Sequence, residues 1–562
     1  MHIVNHRRRI VTVYVFFFIG LLFCAFRLAY IQFFRANYLA GIARKQHSVA
    51  LELEPRRGTI YDTNLKPQAV NISAYSLFAN PKVLSRAEKN NLLKILPQIL
   101  GADIDFLRER LLRNKSFVWL ARKLTDDQVV AVRKLKIKGF DFIKETKRCY
   151  PNGYLLSHVL GFAGLDNNGL EGVELAFNQY LKGESGFALC LRDARQNKLE
   201  IWEKMSAPRD GYDLVLTIDE VVQYIAEREL DKAFRQFNAQ GASIIVMNPR
   251  TGEILAFANR PTYDLNEYAG ASKESMRNRA ICDLFEPGSV FKIVTASAAL
   301  EERKVNENSR FFCENGAWNF GSHTLHDHQP HGWLTFSEVI EQSSNIGTVK
   351  VAQLLGPPLL HKYIKSYGFG AKTGLELHGE INGMNKDPRN WSKTSIGAVP
   401  IGQEVGVTAL QLVAAVSVIA NGGQLVKPYL VKEIRDQYGE TVKYFSPAPV
   451  RRVISESTAA RMRKILTKVI EQGTGKLAKP ASFSAAGKTG TAQKLDPNGA
   501  YSHDKFVGSF IGFAPADNPQ IAMVVTLDEP HPYYYGGVVS APVFKNVAED
   551  VLKYLNYNLN TE

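Results

Sequence analysis

The rhythm of apolar and polar positions changes several times along the chain. The first run, IVTVYVFFFIGLLFCAF at residues 10–26, carries no charge, and apolar residues continue past Arg27 to Phe34. At about 1.5 Å per residue the uncharged part spans roughly 25 Å, close to the hydrocarbon thickness of a bilayer. LELE at residues 51–54 alternates with period two, as a strand does, and runs into RRGTIYD. Helical spacing follows around residues 88–112 and 125–135. RCYPNG at 148–153 reads as a turn, and GLEGVE at 169–174 opens a further amphipathic helix. A second domain starts near Gly211. GYDLVLTID predicts a strand there, and residues 220–237 predict a helix with Val221, Ile225 and Phe234 on its apolar side. ASIIVMNPRTGEILAFAN predicts a hairpin with strands at 243–247 and 253–258. A mainly helical middle follows, and strands return at residues 485–494, in KFVGSFIGFAP and in QIAMVVTLDEP. Strands at both ends with helices between predict one mixed sheet closed by distant segments, an α/β fold. Internal repeats and low-complexity segments are absent from the sequence.

Length and composition narrow the class. A chain of 562 residues is long enough for several cores, and 45% hydrophobic with 22% charged residues is ordinary for globular protein. The formal charge of +14 raises nucleic acid as a partner, but no zinc finger, RNA-binding signature or long basic block supports it. A basic exterior suits an anionic membrane surface or an anionic polymer equally well. Arg7, Arg8 and Arg9 precede the apolar run, so the positive-inside rule places residues 1–9 in the cytoplasm, a single span at 10–34, and the rest outside. The run is long for a cleavable signal and no small-x-small site follows it, so a retained anchor is expected. Cys24 falls in the span. Cys149, Cys190, Cys282 and Cys313 fall outside with no C-x-x-C spacing, and their pairing stays open.

The chemistry concentrates after residue 285. In FEPGSVFKIV a serine follows a Pro-Gly corner, with a lysine three residues on. A helix running from there to Leu300 puts Ser289 and Lys292 on one face. A lysine held among Phe291, Ile293 and Val294 is desolvated, which lets it act as a base near neutral pH on a serine nucleophile. Taken alone, Ser-x-x-Lys also fits a capping serine followed by a lysine snorkelling to solvent. Two further motifs change that. Ser343-Ser344-Asn345 follows a helix opened by the capping box Thr335-x-x-Glu338, and Lys488-Thr489-Gly490-Thr491 lies on a predicted strand. GSHTLHDHQPHGW brings His323, His326, Asp327, His328 and His331 together and resembles a zinc-ligand cluster, but it also reads as a polar loop between the motifs, so no metal is expected.

Ordered Ser-x-x-Lys, Ser-x-Asn and Lys-Thr-Gly resemble the signature of penicillin-binding proteins and serine β-lactamases. EPGSVFK, SSNIG, IGQEVGVTALQL, AGKTGTAQK, GSFIGFAP and YYGGVVSAPVF extend the resemblance to the monofunctional (class B) penicillin-binding proteins, and RRGTIYD and GLEGVE resemble their amino-terminal pedestal. EPGS, GLEGVE and KTGTAQ look most like the division-specific transpeptidase. Ala409 departs from a usual helix-start proline, and Leu65 from a usual turn glycine.

The resemblance implies a membrane helix, an elongated α+β pedestal at residues 40–207, and a transpeptidase domain at 211–555 whose mixed or antiparallel sheet is flanked by helices. It implies Ser289 as nucleophile, Lys292 as base, Ser343 as proton relay, Asn345 as orienting group and Lys488 as polarising cation. Thr489 and Thr491 would hold the substrate carboxylate, the Ser289 and Thr491 amides would form the oxyanion hole, and Gly490 belongs to the same substrate-binding set. The implied substrate is the stem peptide of peptidoglycan, crosslinked without cofactor in septal synthesis, with β-lactams as inhibitors. The implied partners are division proteins, including a membrane glycosyltransferase, and no nucleic acid. An elongation-specific enzyme, a D,D-carboxypeptidase or β-lactamase, and an inactive anchored scaffold are the alternatives.

Overall fold

The computed structural model describes residues 2–192, 198–321, 323–496 and 499–559. Two compact units emerge, Met1–Arg56 with Gly183–Asp210, and Arg57–Lys182 with Gly211–Glu562. In the first, a helix His2–Phe34 carries the apolar run and a second helix spans Ala36–His47. Segment His6–Phe34 has a mean hydropathy of 2.3, and among the described residues it alone is long and apolar enough to cross a membrane. Its large side chains, such as Phe16 and Phe17, are exposed, as a lipid-facing helix requires. The LELE strand, Ser48–Leu53, pairs antiparallel with Gly186–Arg192, which pairs in turn with Lys198–Ser206.

The second unit contains two sheets that matter here. Strands Pro67–Ala79, Val118–Leu124 and Phe140–Cys149 pair antiparallel, and their core includes Leu77, Leu96, Leu107 and Leu120. The helical pattern at 88–112 resolves into two helices, Arg86–Leu100 and Ile104–Leu112, because Gly101 turns left-handed at φ 63° and Asp103 caps the next start. Leu65 adopts φ 62°, so leucine here occupies a conformation that glycine reaches without strain. RRGTIYD, RCYPNG and GLEGVE meet in one buried knot. Glu174 Oε2 accepts from Arg57 Nε and Glu174 Oε1 from Arg148 Nε, both at 2.6 Å. Burial works against the Glu174 charge, but the two guanidiniums outweigh it and hold the carboxyl below its ordinary range.

The other sheet is built by sequence-distant strands, as the pattern predicts. Strands β1 (Gly241–Met247), β2 (Ile254–Arg260), β3 (Ala486–Leu495), β4 (Tyr501–Ala514) and β5 (Ile521–Asp528) lie in the order β2-β1-β5-β4-β3, all neighbours antiparallel. Both faces are covered, which is why ASIIVM reads as a continuous apolar run rather than an alternation. Ile244 and Val246 face helices α1 (Glu220–Gln236) and α5 (Ala541–Leu559). Ile245 and Met247 face the larger core, which includes helices α2 (Lys292–Glu301), α3 (Asn345–Ser366) and α4 (Ala409–Ala420). Ala409 starts α4 without proline because Thr408 and Gln411 form a capping box there. Strand β3, with the Lys-Thr-Gly motif, is an edge.

Candidate active site

Ser289 does not begin an α-helix. It sits in a 3-10 turn, Gly288–Phe291, and α2 begins at Lys292. In a 3-10 turn residues i and i+3 eclipse, so the Ser-x-x-Lys spacing aligns the two side chains more closely than an α-helix does. The turn is pressed between two backbones. Gly288 adopts φ 58°, its N–H donates to Gly402 O at 3.1 Å, and a Cβ on it would lie 2.8 Å from Thr491 O. Gly490 is needed for the same approach from the sheet side, since a Cβ there would lie 2.9 Å from Pro287 O and 2.8 Å from Val290 Cγ1. Ser289 itself is half-buried.

Lys292 is fully buried, and its Nζ donates to Ser343 O at 2.6 Å, Asn345 Oδ1 at 2.8 Å and Ser343 Oγ at 3.2 Å. Burial drives its pKa down to about 7, opposed by the Asp327 carboxylate. Lys488, also fully buried, donates to the same Ser343 Oγ at 2.8 Å. Its pKa falls well below the ordinary lysine value through burial first and the neighbouring Lys292 second. Ser343 holds this position at φ 60°, a left-handed conformation that costs a serine on the order of 1–3 kcal/mol and that clusters at functional sites.

The segment that positions Ser343 and Asn345 is fixed by Asp327, a residue of the polar loop between the motifs. Asp327 accepts from Ser344 Oγ at 2.6 Å through one oxygen, and from the amides of Asn345 and Ile346 through the other. Asn345 Nδ2 donates back to His326 O at 2.8 Å. The His-rich loop thus serves as a cap for α3, placing a carboxylate at its positive end. His328 meets Tyr535 edge-on at 5.1 Å between ring centroids, and the His323 side chain lies outside the described residues. An acidic residue far from its helix in sequence carries no local capping signal, so Asp327 was not separable from its neighbours by pattern.

On β3, Lys488, Thr489, Gly490 and Thr491 pair in regular register with Ile511, Phe510, Ser509 and Gly508. Thr489 is buried and its hydroxyl pairs with Thr474 Oγ1 at 2.8 Å. Thr491 is half-buried, and its hydroxyl accepts from the Gly536 amide at 3.1 Å. Gly536 belongs to the YYYGG loop, which therefore borders the site. Cys149, Cys282 and Cys313 are free thiols, as is Cys24; the Cys190 side chain lies outside the described residues. A serine-bearing turn, two desolvated lysines and a hydroxyl between them form a site suited to acyl transfer through a serine.

The comparisons with known proteins agree with that chemistry. Residues 242–549 match the penicillin binding protein transpeptidase domain, and residues 52–216 the penicillin-binding protein dimerisation domain. Stage V sporulation protein D of Bacillus subtilis is 37% identical over 569 residues, covering 98% of this chain and 86% of that protein. Peptidoglycan D,D-transpeptidase FtsI of Escherichia coli is 31% identical over 545 residues, covering 96% and 90%. Among solved structures, penicillin binding protein 3 of Mycobacterium tuberculosis complexed with aztreonam superposes with a TM-score of 0.71 at 28% identity, covering 90% of this chain and 97% of that one. Penicillin Binding Protein 2X of Streptococcus thermophilus gives 0.73 at 26%, covering 90% and 80%. The chain belongs to the class B penicillin-binding proteins and is a serine-type peptidoglycan D,D-transpeptidase.

Proposed function

We propose that Ser289 is the nucleophile of this transpeptidase and that Lys292, Ser343, Asn345 and Lys488 manage its proton. Ser289 Oγ attacks the carbonyl between the two terminal D-alanines of a stem peptide as its proton passes to Lys292. A neutral Lys292 amine keeps two N–H groups, which match its short contacts to Ser343 O and Asn345 Oδ1. The longer approach to Ser343 Oγ, at 3.2 Å, then carries no proton donated by Lys292, and the lone pair is left to take the serine proton. Ser343 Oγ, shared with Lys488, carries a proton to the departing D-alanine amine as the C–N bond breaks. The acyl group then passes to an amine of a neighbouring strand. The Ser289 and Thr491 amides serve as oxyanion donors, a device worth several kcal/mol of barrier. Thr491 and Thr489 serve the substrate carboxylate beside Lys488, Thr491 more directly because the Thr489 hydroxyl is engaged with Thr474. The convergence of two desolvated lysines on one hydroxyl is the observation that carries this reading. Mass analysis after penicillin treatment tests it: the adduct is expected on the peptide containing Ser289, and a Ser289→Ala protein that still labels stoichiometrically would refute it.

In the cell, the reading is an inner-membrane enzyme with Arg7–Arg9 inside and the catalytic domain outside, made of a pedestal at 40–207 and a transpeptidase domain at 211–555. Reporter fusions after Ala40 and at the carboxyl terminus should both report an extracytoplasmic location. β-Lactams are its inhibitors, a view supported by the aztreonam complex of the Mycobacterium relative. Similarity to FtsI supports septal synthesis, and the partners proposed for it are division proteins, including a membrane glycosyltransferase. The similarity to Stage V sporulation protein D favours a second reading, service in sporulation. Depletion separates them, since filamentous growth follows from the first and a defect confined to spores from the second.

A further inference from the structure

A pocket of about 280 Å³ opens where the β1–β2 turn, the β4–β5 loop and the end of α4 meet helix Glu456–Glu471. It is remote from the serine turn. α4 starts two residues after Val407, which bridges Phe285 beside that turn, and its twelve residues at about 1.5 Å each put the pocket roughly 18 Å from that end. Three arginines from separate elements converge on it: Arg250 from the β1–β2 turn, Arg452 from strand Pro449–Arg452 and Arg463 from the helix. Arg250 Nη2 donates to Asn518 Oδ1, and Arg452 Nη1 donates to Gly422 O at 2.8 Å and Ile454 O at 3.4 Å. These neutral acceptors fix both guanidiniums without cancelling their charge. Arg463 is half-buried, and among the described residues no carboxylate pairs with any of the three. Arg461, two residues earlier on the same helix, behaves differently and engages both oxygens of Glu307 at 2.6 and 2.8 Å. Glu456 and Asp517 also line the pocket, yet neither forms an ion pair among the described residues; Asp517 accepts from the Ser484 hydroxyl at 3.2 Å.

We infer that this pocket binds a small phosphorylated polyol, with the three guanidiniums on its phosphate and Glu456 and Asp517 on its hydroxyls. Like charges that converge without a counter-ion repel each other, and an anion from outside removes that repulsion. Guanidiniums arriving from three elements suit the tetrahedral oxygens of a phosphate better than the two coplanar oxygens of a carboxylate. The two carboxylates disfavour a bare anion over their part of the pocket, but they accept hydrogen bonds from hydroxyls. A ligand with phosphate at one end and hydroxyls at the other satisfies both halves. Three guanidiniums against two carboxylates leave a positive excess, so the phosphate is attracted overall. None of these residues takes part in acyl transfer, and the site stands whether or not Ser289 is the nucleophile.

Calorimetric titration of the detergent-solubilised full chain with glycerol 3-phosphate tests the site, with inorganic phosphate and glycerol as comparison ligands. Glycerol 3-phosphate is expected to bind roughly tenfold more tightly than inorganic phosphate, and glycerol not to bind. Arg452→Gln and Arg463→Gln should each weaken glycerol 3-phosphate about tenfold, since each removes a charged donor. Glu456→Gln should narrow the gap between glycerol 3-phosphate and inorganic phosphate. Penicillin labelling should stay unchanged in all three variants, which shows that they fold. Glycerophosphoglycerol, the headgroup of phosphatidylglycerol without its acyl chains, separates two sources of the ligand. Tighter binding of this diester assigns the pocket to a lipid headgroup, and tighter binding of the monoester assigns it to a free polyol phosphate. Absence of binding by the wild type overturns the proposal. So does equal affinity for inorganic phosphate, or an affinity that both arginine variants keep.

Discussion

Lys292 and Lys488 bring their Nζ atoms to a single oxygen, Ser343 Oγ, at 3.2 and 2.8 Å. Two buried ammonium groups around one hydroxyl repel each other, and burial already disfavours both charges. A base is therefore available near neutral pH. The neutral fraction of Lys292 grows as pH rises through about 7, so the second-order rate of penicillin acylation should rise about tenfold per pH unit below that value and level off above it. Stopped-flow acylation across pH 5 to 9 measures the midpoint. The same displacement bears on stability. Between about 7 and the ordinary 10.5 the unfolded chain binds a proton that the folded chain does not, so Lys292 makes stability rise with pH across that window. Lys292→Met should remove that penalty, raise Tm by several degrees, and abolish acylation. A variant that loses acylation and also unfolds at lower temperature would mark the lysine as a structural element.

Asp327 acts on the same base from the opposite side. Its charge raises the Lys292 pKa, and its two oxygens cap the segment that carries Ser343 and Asn345. Asp327→Asn keeps the shape and removes the charge. The acylation midpoint is expected to move below about 7, with the plateau rate falling on the order of tenfold as the cap weakens by about 1 kcal/mol. An unmoved midpoint together with a lower plateau would mean that Asp327 only holds the helix.

The two lysines show how much was legible in the sequence. The three motifs single out Ser289, Lys292, Ser343, Asn345 and Lys488 only through their ordered resemblance to a family signature, since Ser-x-x-Lys by itself also fits a capping serine and a solvent-facing lysine. The strand patterns around residues 243 and 521 announce one sheet closed by distant segments, and the structure adds that both of its faces are covered. Asp327 stayed hidden, since its partners are set by tertiary structure and its own neighbours are polar. Strand Pro67–Ala79 stayed hidden too. Its sequence, PQAVNISAYSLFA, mixes polar and apolar residues, and bulges shift its register against Val118–Leu124 at Tyr75/Leu77 and Leu77/Phe78. A shifted register breaks the two-residue period that makes a strand readable.

Glu174 gives a stability prediction remote from the chemistry. It is fully buried between Arg57 and Arg148, so Glu174→Gln leaves two guanidiniums facing a neutral amide. Breaking such a buried arrangement costs about 3–5 kcal/mol. Tm should fall by many degrees, while the folded fraction still takes one equivalent of penicillin. Replacing Arg57, Glu174 and Arg148 together with apolar residues of similar volume should recover much of the loss. Equal instability of the single and triple variants would show that the knot acts through packing rather than charge.

The fate of the acyl-enzyme separates transfer from hydrolysis. Rapid hydrolysis needs a water held by a second base, such as the extra glutamate of class A β-lactamases. Two carboxylates stand near the serine turn here, and both are occupied. Glu404 Oε2 accepts from Ser395 Oγ at 2.7 Å, while Glu286 accepts from Tyr501 and from the Glu404 amide. Glu404 also adopts φ 57°, so its backbone is held in a conformation set by the loop, leaving little freedom to swing toward Ser289. With neither carboxylate hydrogen-bonded to Ser289 among the described residues, water has no positioned base and an incoming amine has the advantage of intrinsic nucleophilicity. The penicilloyl adduct is therefore expected to persist for many minutes, and a peptide acyl group to pass to an added D-amino acid in preference to water. Intact mass followed over time gives adduct decay, and product analysis with and without the acceptor gives the partition. Penicillin turnover at tens per second without any aminolysis product would make this chain a hydrolase, and would require one of the two glutamates to leave the contacts described.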